Sequence, residues 1–344
     1  MPSPTVSIVI PSYNHARYLP ACLGSILSQT FRDWELFLID DGSRDDSVEI
    51  ARSYAKKDAR IQVETNDKNL GTYGTQKRGL ERSSGSYVAI MNSDDLWKPT
   101  KLERQVALLE SDPAAAYSYV LGAMIDDNGF ELDGDVHADW PRSDPQRPLP
   151  YLLSDNRILA SGVLFRRRTL RFDASCRYSG DWVALLEQSR LGHTRCVAEP
   201  LTCWRQHESN SFRRSIPQTA EEIRVRRAIH DSAKAWLGVG SLESEILAGM
   251  GTNALHLVPL LVLANDLKQA KAFASYALRH APNRTAAVKR AVGLQLGIRA
   301  ARSRFWSSDE IQLSEQGGLR DLVQASQSLE FKTADVGRQA HSQV

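Results

Sequence analysis

In this 344-residue chain, the residues whose types and spacing most clearly suggest a chemical role are two adjacent carboxylates, Asp94 and Asp95. They follow Tyr87–Met91, an apolar run without alternation that predicts a strand buried on both faces of a parallel sheet. Carboxylates this close repel each other and are costly to desolvate unless a cation lies beside them. A Mg²⁺- or Mn²⁺-type cation, held by one or two carboxylates and by substrate phosphates, fits this sparse ligand set. The alternative is a polar turn in which Asp95 caps a helix.

Strands and helices alternate in the N-terminal part of the chain. Apolar runs at Val6–Ile10, Trp34–Ile39 and Ile61–Thr65 predict three more strands, and helical periodicity lies between them. This alternation predicts an α/β fold with a doubly wound, mostly parallel central sheet, flanked by helices and joined by right-handed crossovers. Ligands of such sheets bind at the carboxyl ends of the strands. The polar residues that follow the strands are therefore expected along one edge: Tyr13, Asp40, Asn69 and Asp94.

Further along the chain the pattern changes from mixed to purely helical. Glu131–Pro150, rich in Asp, Pro and Arg, is expected to form a long loop. More strands are predicted at Ala115–Ile125, Ile158–Arg166 and Cys196–Trp204. We predict a catalytic domain over residues 1–215, a helical region over 216–330 and a disordered tail over 331–344.

Four motifs occur in order and at matching spacing in the predicted first domain. They are Val-Ser-Ile-Val-Ile-Pro-Ser-Tyr-Asn14, Asp40-Asp41-Gly42-Ser43, Asn69-x-Gly71 and Asn92-Ser-Asp-Asp-Leu-Trp-x-Pro99. Together they closely resemble the family 2 glycosyltransferases with the GT-A fold, of the bacterial surface-polysaccharide type. The resemblance covers roughly Pro4 to Phe212, and four motifs in register are strong evidence where any one alone is weak.

The resemblance implies roles for the residues that match the family motifs. Asp94 matches the last position of the family's Asp-x-Asp motif, which holds a divalent ion on the sugar-nucleotide diphosphate, and Asp95 stands beside it. His207 matches a histidine that in many members joins the metal or the diphosphate, and Asp181 matches the catalytic base. Donor binding is assigned to Pro11, Tyr13 and Asn14 beside the base, to Asp40 on uracil or an equivalent base, and to Asn69, Gly71, Lys77, Asn92 and Ser93.

Three positions depart from the family pattern. The first Asp of Asp-x-Asp is Asn92 here, which lowers the formal charge at the metal. The Glu that usually precedes the catalytic Asp is Gly180. An Arg often found after Asn-x-Gly is Gln76, with Lys77 and Arg78 as alternative phosphate contacts. None of these changes removes an essential functional group.

The implied reaction is an inverting, metal-dependent transfer of a sugar from a nucleotide diphosphate, best predicted as UDP, to a hydroxyl of a glycan or glycolipid acceptor. Mn²⁺ or Mg²⁺ neutralises the departing diphosphate, and Asp181 takes the proton of the attacking hydroxyl. Glu131–Pro150 and the segment after His207 are candidate lids. Two other classes stay open. One is a nucleotidyltransferase, although Pro11–Asn14 is not a glycine-rich basic loop; the other is a catalytically degenerate sugar-nucleotide-binding scaffold, which Asn92 favours.

Composition and sequence pattern indicate the cellular compartment. No apolar run is long enough to span a bilayer, no signal peptide is visible, and the four cysteines lack metal-binding spacing. We therefore expect a cytoplasmic protein with reduced thiols. No base-reading module or aromatic–basic interleaving is found, which argues against a nucleic-acid partner. His15 is interpreted as an ordinary residue.

Positive charge is concentrated near the C-terminus. Between Leu267 and Ser308 there are nine Lys and Arg and no Asp or Glu, although the whole chain has a net charge of only +2. Arg284–Trp306 predicts an imperfect basic amphipathic helix that binds an anionic membrane surface, here the cytoplasmic face of an inner membrane. The alternative is a helix packed on the catalytic domain or against a second copy in a homo-oligomer.

Overall fold

The computed structural model describes residues 3–134, 136–137, 147–172, 176–207, 210, 216–231, 242–263 and 266–288. The chain divides into two compact units, Met1–Asn210 and Ser211–Val344, and each is described by itself. The predicted tail at 331–344, most of the predicted basic helix and the middle of the predicted Glu131–Pro150 loop lie outside the described residues. The segment that follows His207 does so too, apart from Asn210.

The first unit is built on one eight-stranded sheet with the order β3-β2-β1-β4-β7-β6-β8-β5. Its strands are β1 Val6–Ser12, β2 Trp34–Asp40, β3 Ile61–Thr65, β4 Tyr87–Ile90, β5 Leu96–Trp97, β6 Tyr117–Ile125, β7 Val163–Arg166 and β8 Arg195–Arg205. Strands β1 to β4 pair in parallel, and β6 pairs in parallel with β8. The predicted mostly parallel α/β sheet is confirmed.

Two strands run against the others. β7 is antiparallel to both of its neighbours, β4 and β6, and β5 is antiparallel to β8. β7 reverses because the chain leaves β6 at the carboxyl edge and re-enters the sheet from that same edge, through a 3₁₀ turn at Ala160–Gly162. The predicted strand Ile158–Arg166 is therefore shorter in the structure, and its first part forms this turn at the edge where ligands bind.

Helices flank the sheet and follow the predicted order. They are α1 Leu19–Leu27, α2 Ser47–Ala55, α3 Gly71–Arg82, α4 Lys101–Glu110, α5 Leu149–Ser154 and α6 Gly180–Leu191. The short α5 is not predicted, because it begins within the segment interpreted as a loop. Pro150 lies in its first turn, where a missing N–H leaves no intrahelical hydrogen bond unmade.

Burial of the central strands explains why this part of the chain folds as it does. Ile8, Ile10 and Leu36 are fully buried in the core, as are Leu23 and Ile26 of α1, which packs on the sheet. Each such side chain contributes about 1.5–3 kcal/mol on burial. On α3, a Cβ added at Gly79 would lie 2.3 Å from Cγ1 of Val9, so glycine lets this helix approach β1 closely. Close packing of α3 fixes its inward face against the sheet.

The described part of the second unit is helical, as predicted. Its helices are α7 Ile216–Asp231, α8 Glu243–Leu263 and α9 Leu267–His280. Asp266 caps α9 by accepting a hydrogen bond from the backbone N–H of Gln269 at 3.1 Å. Arg226 of α7 donates to Oδ1 of Asn253 on α8 at 2.8 Å inside this unit. None of the described helices combines the length and the apolarity needed to cross a bilayer.

Candidate active site

Three side chains at the carboxyl edge of the sheet form a candidate metal centre. His15 follows β1, Asp94 follows β4 and His207 follows β8. The ligand atoms that they offer all lie within 4.8 Å of one another. Nε2 of His207 lies 3.0 Å from Oδ2 of Asp94, and Nδ1 of His15 lies 2.7 Å from Oγ of Ser93. Two imidazoles and one carboxylate suit a divalent first-row cation, so these residues fit the metal that the resemblance implies.

The charge state of the cluster favours metal binding. Burial works against ionisation of Asp94, but the hydrogen bond from His207 and the nearby His15 outweigh it and lower the pKa of this carboxyl. Burial also lowers the pKa of His15, although the charge of Asp94 favours its protonated form. An ionised carboxylate beside a neutral imidazole is the state in which both groups coordinate a metal.

Neighbouring side chains hold His207 and the loop of Asp94 in place. The ring of Tyr18 stacks on that of His207 at 4.7 Å between centroids, and its hydroxyl donates to Oδ1 of Asp127 at 2.5 Å. Arg205 donates to the backbone carbonyls of Asp94, at 2.8 Å, and of Asp127, at 3.1 Å. The turn after β6 therefore joins the ends of β4 and β8, a connection that no motif in the sequence indicates.

Asp95 has a different environment from Asp94. Its side chain is 2% exposed and accepts hydrogen bonds from Oγ of Ser161 at 2.5 Å, the N–H of Arg205 at 3.1 Å and Nδ2 of Asn92 at 3.3 Å. Burial, and then the adjacent negative charge of Asp94, raise the pKa of Asp95 to about 7. Among the described residues Asp95 is not a member of the candidate metal cluster, and His15 stands in its predicted place.

The nucleotide-binding residues predicted at the first two strands lie in connected turns. Asn14 adopts φ 54°, a left-handed conformation that asparagine tolerates well. Its N–H donates to Oγ of Ser43, and its Oδ1 accepts from the N–H of Arg44, both at 2.8 Å. Pro11 is within β1, and Tyr13 is 44% exposed beside this turn. An exposed ring at the sheet edge is free to stack on a planar ligand.

Asp40 and Asp41 build the adjoining loops. Asp40 is 1% exposed, and its carboxylate accepts from the N–H groups of Gly42 and Ser43 at 3.1 and 2.8 Å and from the Ser43 hydroxyl. These bonds close the turn that follows β2. A hydrogen bond from a nucleotide base to Asp40 would use the remaining lone pairs of the carboxylate, and it stays a prediction. Asp41 accepts from the N–H groups of Leu70 and Gly71 at 2.8 and 2.9 Å, which anchors the start of α3.

Asn69 and Gly71 complete this anchor. Nδ2 of Asn69 donates to the carbonyl of Asp41 at 3.0 Å, and its Oδ1 accepts from the N–H of Gly71 at 3.1 Å. Gly71 has φ +74°, which favours glycine. Further along α3, Lys77 is exposed, whereas Arg78 pairs with Glu64 at 2.8 Å. Arg78 is therefore already engaged, which argues against it as a phosphate contact.

Asp181, the predicted catalytic base, lies in the first turn of α6. The hydroxyl of Tyr73 on α3 lies 2.8 Å from its Oδ1. A Cβ added at Gly180 would lie 2.6 Å from the Tyr73 ring, so glycine at this position makes room for the ring. Glycine in place of the family's Glu thus has a packing reason.

The candidate base and the candidate metal centre border the same end of β4. Asp181 lines a pocket together with Ile90, the last residue of β4, and Ala160 of the 3₁₀ turn. The next residue of that turn, Ser161, hydrogen bonds to Asp95 and to the N–H of Asn92, at 2.5 and 3.1 Å. The two groups therefore belong to one edge of the sheet.

This topology, with its polar carboxyl edge, defines an α/β domain of the GT-A class. Residues 7–169 match the family model described as Glycosyl transferase family 2. The matched residues carry the four motifs except for Val6, so the predicted resemblance of this domain to glycosyltransferase family 2 is confirmed.

Curated relatives agree with this match. TuaG of Bacillus subtilis, named for teichuronic acid biosynthesis, is 36% identical over 135 residues, which are 39% of this chain and 53% of TuaG. WfgD of Escherichia coli, named as a UDP-Glc:alpha-D-GlcNAc-diphosphoundecaprenol beta-1,3-glucosyltransferase, is 36% identical over 104 residues, 30% of this chain and 40% of WfgD. The chain thus spans about half of the first relative and less of the second.

Solved structures share the fold. TarS 1–349 of S. aureus in complex with UDP-GlcNAc matches with a TM-score of 0.60 and 15% identity, covering 92% of each chain. The mannosyltransferase PcManGT of Pyrobaculum calidifontis, in complex with GDP-Man and Mn²⁺, matches with a TM-score of 0.57 and 15% identity, over 95% of this chain and 86% of that one. At these identities the similarity establishes the fold.

Proposed function

We propose that the protein is an inverting, metal-dependent glycosyltransferase. It transfers a sugar from a UDP-linked donor to a hydroxyl of a glycan or lipid-linked acceptor in bacterial polysaccharide synthesis. The observation that carries this proposal is the pairing of a metal-type cluster, His15, Asp94 and His207, with a carboxylate, Asp181, at one edge of a GT-A sheet.

His15, Asp94 and His207 are the residues that hold the cation. A bound Mn²⁺ or Mg²⁺ supplies Lewis-acid stabilisation of the negative charge that develops on the leaving diphosphate. Ser93 orients His15, because its Oγ lies 2.7 Å from Nδ1 of that ring. Asp95, which is paired to Ser161, supports the loop from the protein side.

Asp181 is the general base for the acceptor. Its carboxylate takes the proton of the attacking hydroxyl as that oxygen bonds to the anomeric carbon and the diphosphate departs. Direct displacement by one nucleophile inverts the anomeric configuration. Tyr73 donates to Oδ1 of this carboxylate at 2.8 Å, which fixes its orientation and supports this role.

The nucleotide occupies the turns after β1 and β2. Pro11, Tyr13 and Asn14 contact the base, for which the exposed Tyr13 ring is suited. Asp40 accepts from the base with a remaining lone pair, and the Asn69–Gly71 turn contacts the nucleotide. Lys77, which is exposed on α3, and Asn92, at the end of β4, stay proposed donor contacts.

The choice of UDP and of a lipid-linked acceptor rests on similarity. TarS was solved with UDP-GlcNAc, and the name of WfgD specifies UDP-Glc and a diphosphoundecaprenol acceptor. An acceptor on a lipid would bring the protein to a membrane surface. The excess of Lys and Arg between Leu267 and Ser308 supports peripheral attachment through electrostatic attraction to anionic lipids.

A thermal-shift experiment tests the donor class. The protein is heated with UDP-, GDP- and dTDP-sugars, each with and without Mn²⁺. Because a ligand that binds only the folded state raises the melting temperature, UDP-sugars with Mn²⁺ are expected to give the largest shift. Absence of a shift with every nucleotide sugar would overturn the proposal, and a larger shift with a GDP- or dTDP-sugar would reassign the donor.

A further inference from the structure

Gln76 has an environment that the fold alone does not explain. It lies on the inward face of α3 and is 1% exposed. Its Oε1 has no hydrogen-bond partner within the described part of the chain. Buried polar atoms are nearly always paired, and an unpaired one carries a desolvation penalty, so its retention needs a reason.

The side chain that carries this unpaired oxygen lines the same pocket as Asp181. Apart from these two side chains, the described residues that line the pocket are apolar, among them Ile90 and Val163. The pocket has room for about one water-sized group. The unpaired oxygen of Gln76 and the Asp181 carboxylate both accept hydrogen bonds, so on otherwise apolar walls they favour a small polar group that donates one, such as a hydroxyl.

The pocket borders the strand that leads to the candidate metal centre. Ile90 ends β4, which leads directly into the loop that carries Asp94. Asp181 is the proposed base that meets the acceptor hydroxyl at the anomeric carbon. In the proposed reaction the sugar is held between these two carboxylates, so a ring hydroxyl that reaches this pocket would meet Gln76 of α3.

We propose that Gln76 is a donor-specificity residue whose side-chain amide hydrogen bonds to one hydroxyl of the transferred sugar. This inference rests on the proposed function, because it takes Asp181 as a neighbour of that sugar. The same hydroxyl chemistry has a second source, a buried water molecule, and the experiment below distinguishes the two.

The test compares two nearly isosteric substitutions at buried glutamines. Gln76→Met removes the side-chain amide with its unpaired Oε1. Gln188→Met is the matched control, because Gln188 is 2% exposed but fully paired: its Nε2 donates to the Thr169 carbonyl at 3.0 Å, and its Oε1 accepts from Oγ1 of Thr169 at 2.8 Å. Calorimetry with Mn²⁺ measures the affinities for UDP, UDP-glucose and UDP-GlcNAc, and a melting curve measures the stability of each ligand-free variant.

A sugar contact gives a distinctive combination of results. Gln76→Met keeps the affinity for UDP, loses about 3- to 10-fold in affinity for the preferred UDP-sugar, and melts at a higher temperature than the wild type. Gln188→Met melts at a lower temperature and keeps the affinity ratio between UDP-sugar and UDP. Among monodeoxy analogues of the donor, one is expected to lose affinity for the wild type but not for Gln76→Met.

Other results overturn the inference. An unchanged affinity ratio together with a lower melting temperature of Gln76→Met identifies a bound water as the partner. Equal losses of affinity for UDP and for the UDP-sugar would mean that the substitution affects binding of the nucleotide and not of the sugar. If the wild type binds UDP-sugars normally, either result refutes the role of Gln76 alone, whereas a wild type that binds no UDP-sugar refutes the proposed donor and this inference with it.

Discussion

Nε2 of His207 lies 3.0 Å from Oδ2 of Asp94, although 113 positions separate the two residues in the chain. Their strands, β8 and β4, are not neighbours, since β7 and β6 lie between them in the sheet. The side chains meet because both follow strands that point to the same edge. The candidate metal centre therefore forms because the strands that precede these residues run in the same direction.

Substitution of the cluster should weaken metal binding. We expect Asp94→Asn and His15→Ala each to lower the affinity for Mn²⁺ by about 10- to 100-fold or more, because each removes a ligand atom. Electron paramagnetic resonance of Mn²⁺ in the presence of UDP measures this directly. His193→Ala is the control, since His193 pairs with Asp112 at 2.7 Å and is not a member of the cluster. Wild-type affinity in His15→Ala would remove this residue from the site.

Loss of the base should stop transfer without affecting donor binding. Asp181→Asn keeps the size of the side chain but cannot take a proton, so kcat is expected to fall by about 10²- to 10⁴-fold at an unchanged Kd for the UDP-sugar. Glu187→Gln, on the exposed part of the same helix, should leave both values unchanged. Full activity of Asp181→Asn would support a different base, and an inactive wild type that binds UDP-sugar would support the scaffold alternative.

Tyr73 should matter through the orientation of Asp181. Tyr73→Phe removes the hydroxyl that lies 2.8 Å from Oδ1, so we expect kcat to fall by roughly 10-fold while the KM for the donor stays near its wild-type value. Tyr87→Phe is the matched control, because the Tyr87 hydroxyl also donates to a carboxylate, that of Glu110 at 2.6 Å, at the opposite end of β4. If both variants lose stability and activity alike, the effect is structural and Tyr73 does not position the base.

Lys101 should make stability depend on pH. It is fully buried, with its Nζ donating to Oε1 of Gln105 at 2.7 Å, and burial lowers its pKa well below the usual 10.5. Between its folded-state pKa and 10.5 the unfolded chain binds a proton that the native protein does not. The free energy of unfolding should therefore rise with pH in this window, by up to about 1.4 kcal/mol per unit.

Chemical denaturation between neutral pH and about pH 10 measures this slope. Lys101→Met should flatten it, because the substituted side chain does not titrate. Lys98→Met should retain it, because Lys98 pairs with Glu131 at 2.9 Å near the surface. A slope unchanged in Lys101→Met would mean that this lysine is charged in the native state.

The sequence determined the elements and the chemistry available at their ends. Val6–Ile10, Trp34–Ile39 and Ile61–Thr65 agree with observed strands to within two residues, because strands buried on both faces need uninterrupted apolar runs. The family resemblance identified Asp94, His207 and Asp181, which the structure brings to one edge. The residues that follow these strands lie close together because parallel strands direct their carboxyl ends to a common edge, and their roles stay predictions.

Only the tertiary structure decided which way each side chain at that edge turns. Asp94 and Asp95 are adjacent in sequence, yet Ser161, 66 positions away, draws Asp95 into the interior. His15 carries no motif signal and becomes a candidate ligand only because β4 and β8 end beside it. Likewise, the unpaired Oε1 of Gln76 is visible only once α6 closes the pocket around it. Such roles depend on partners that the fold brings from distant positions, and local sequence does not encode them.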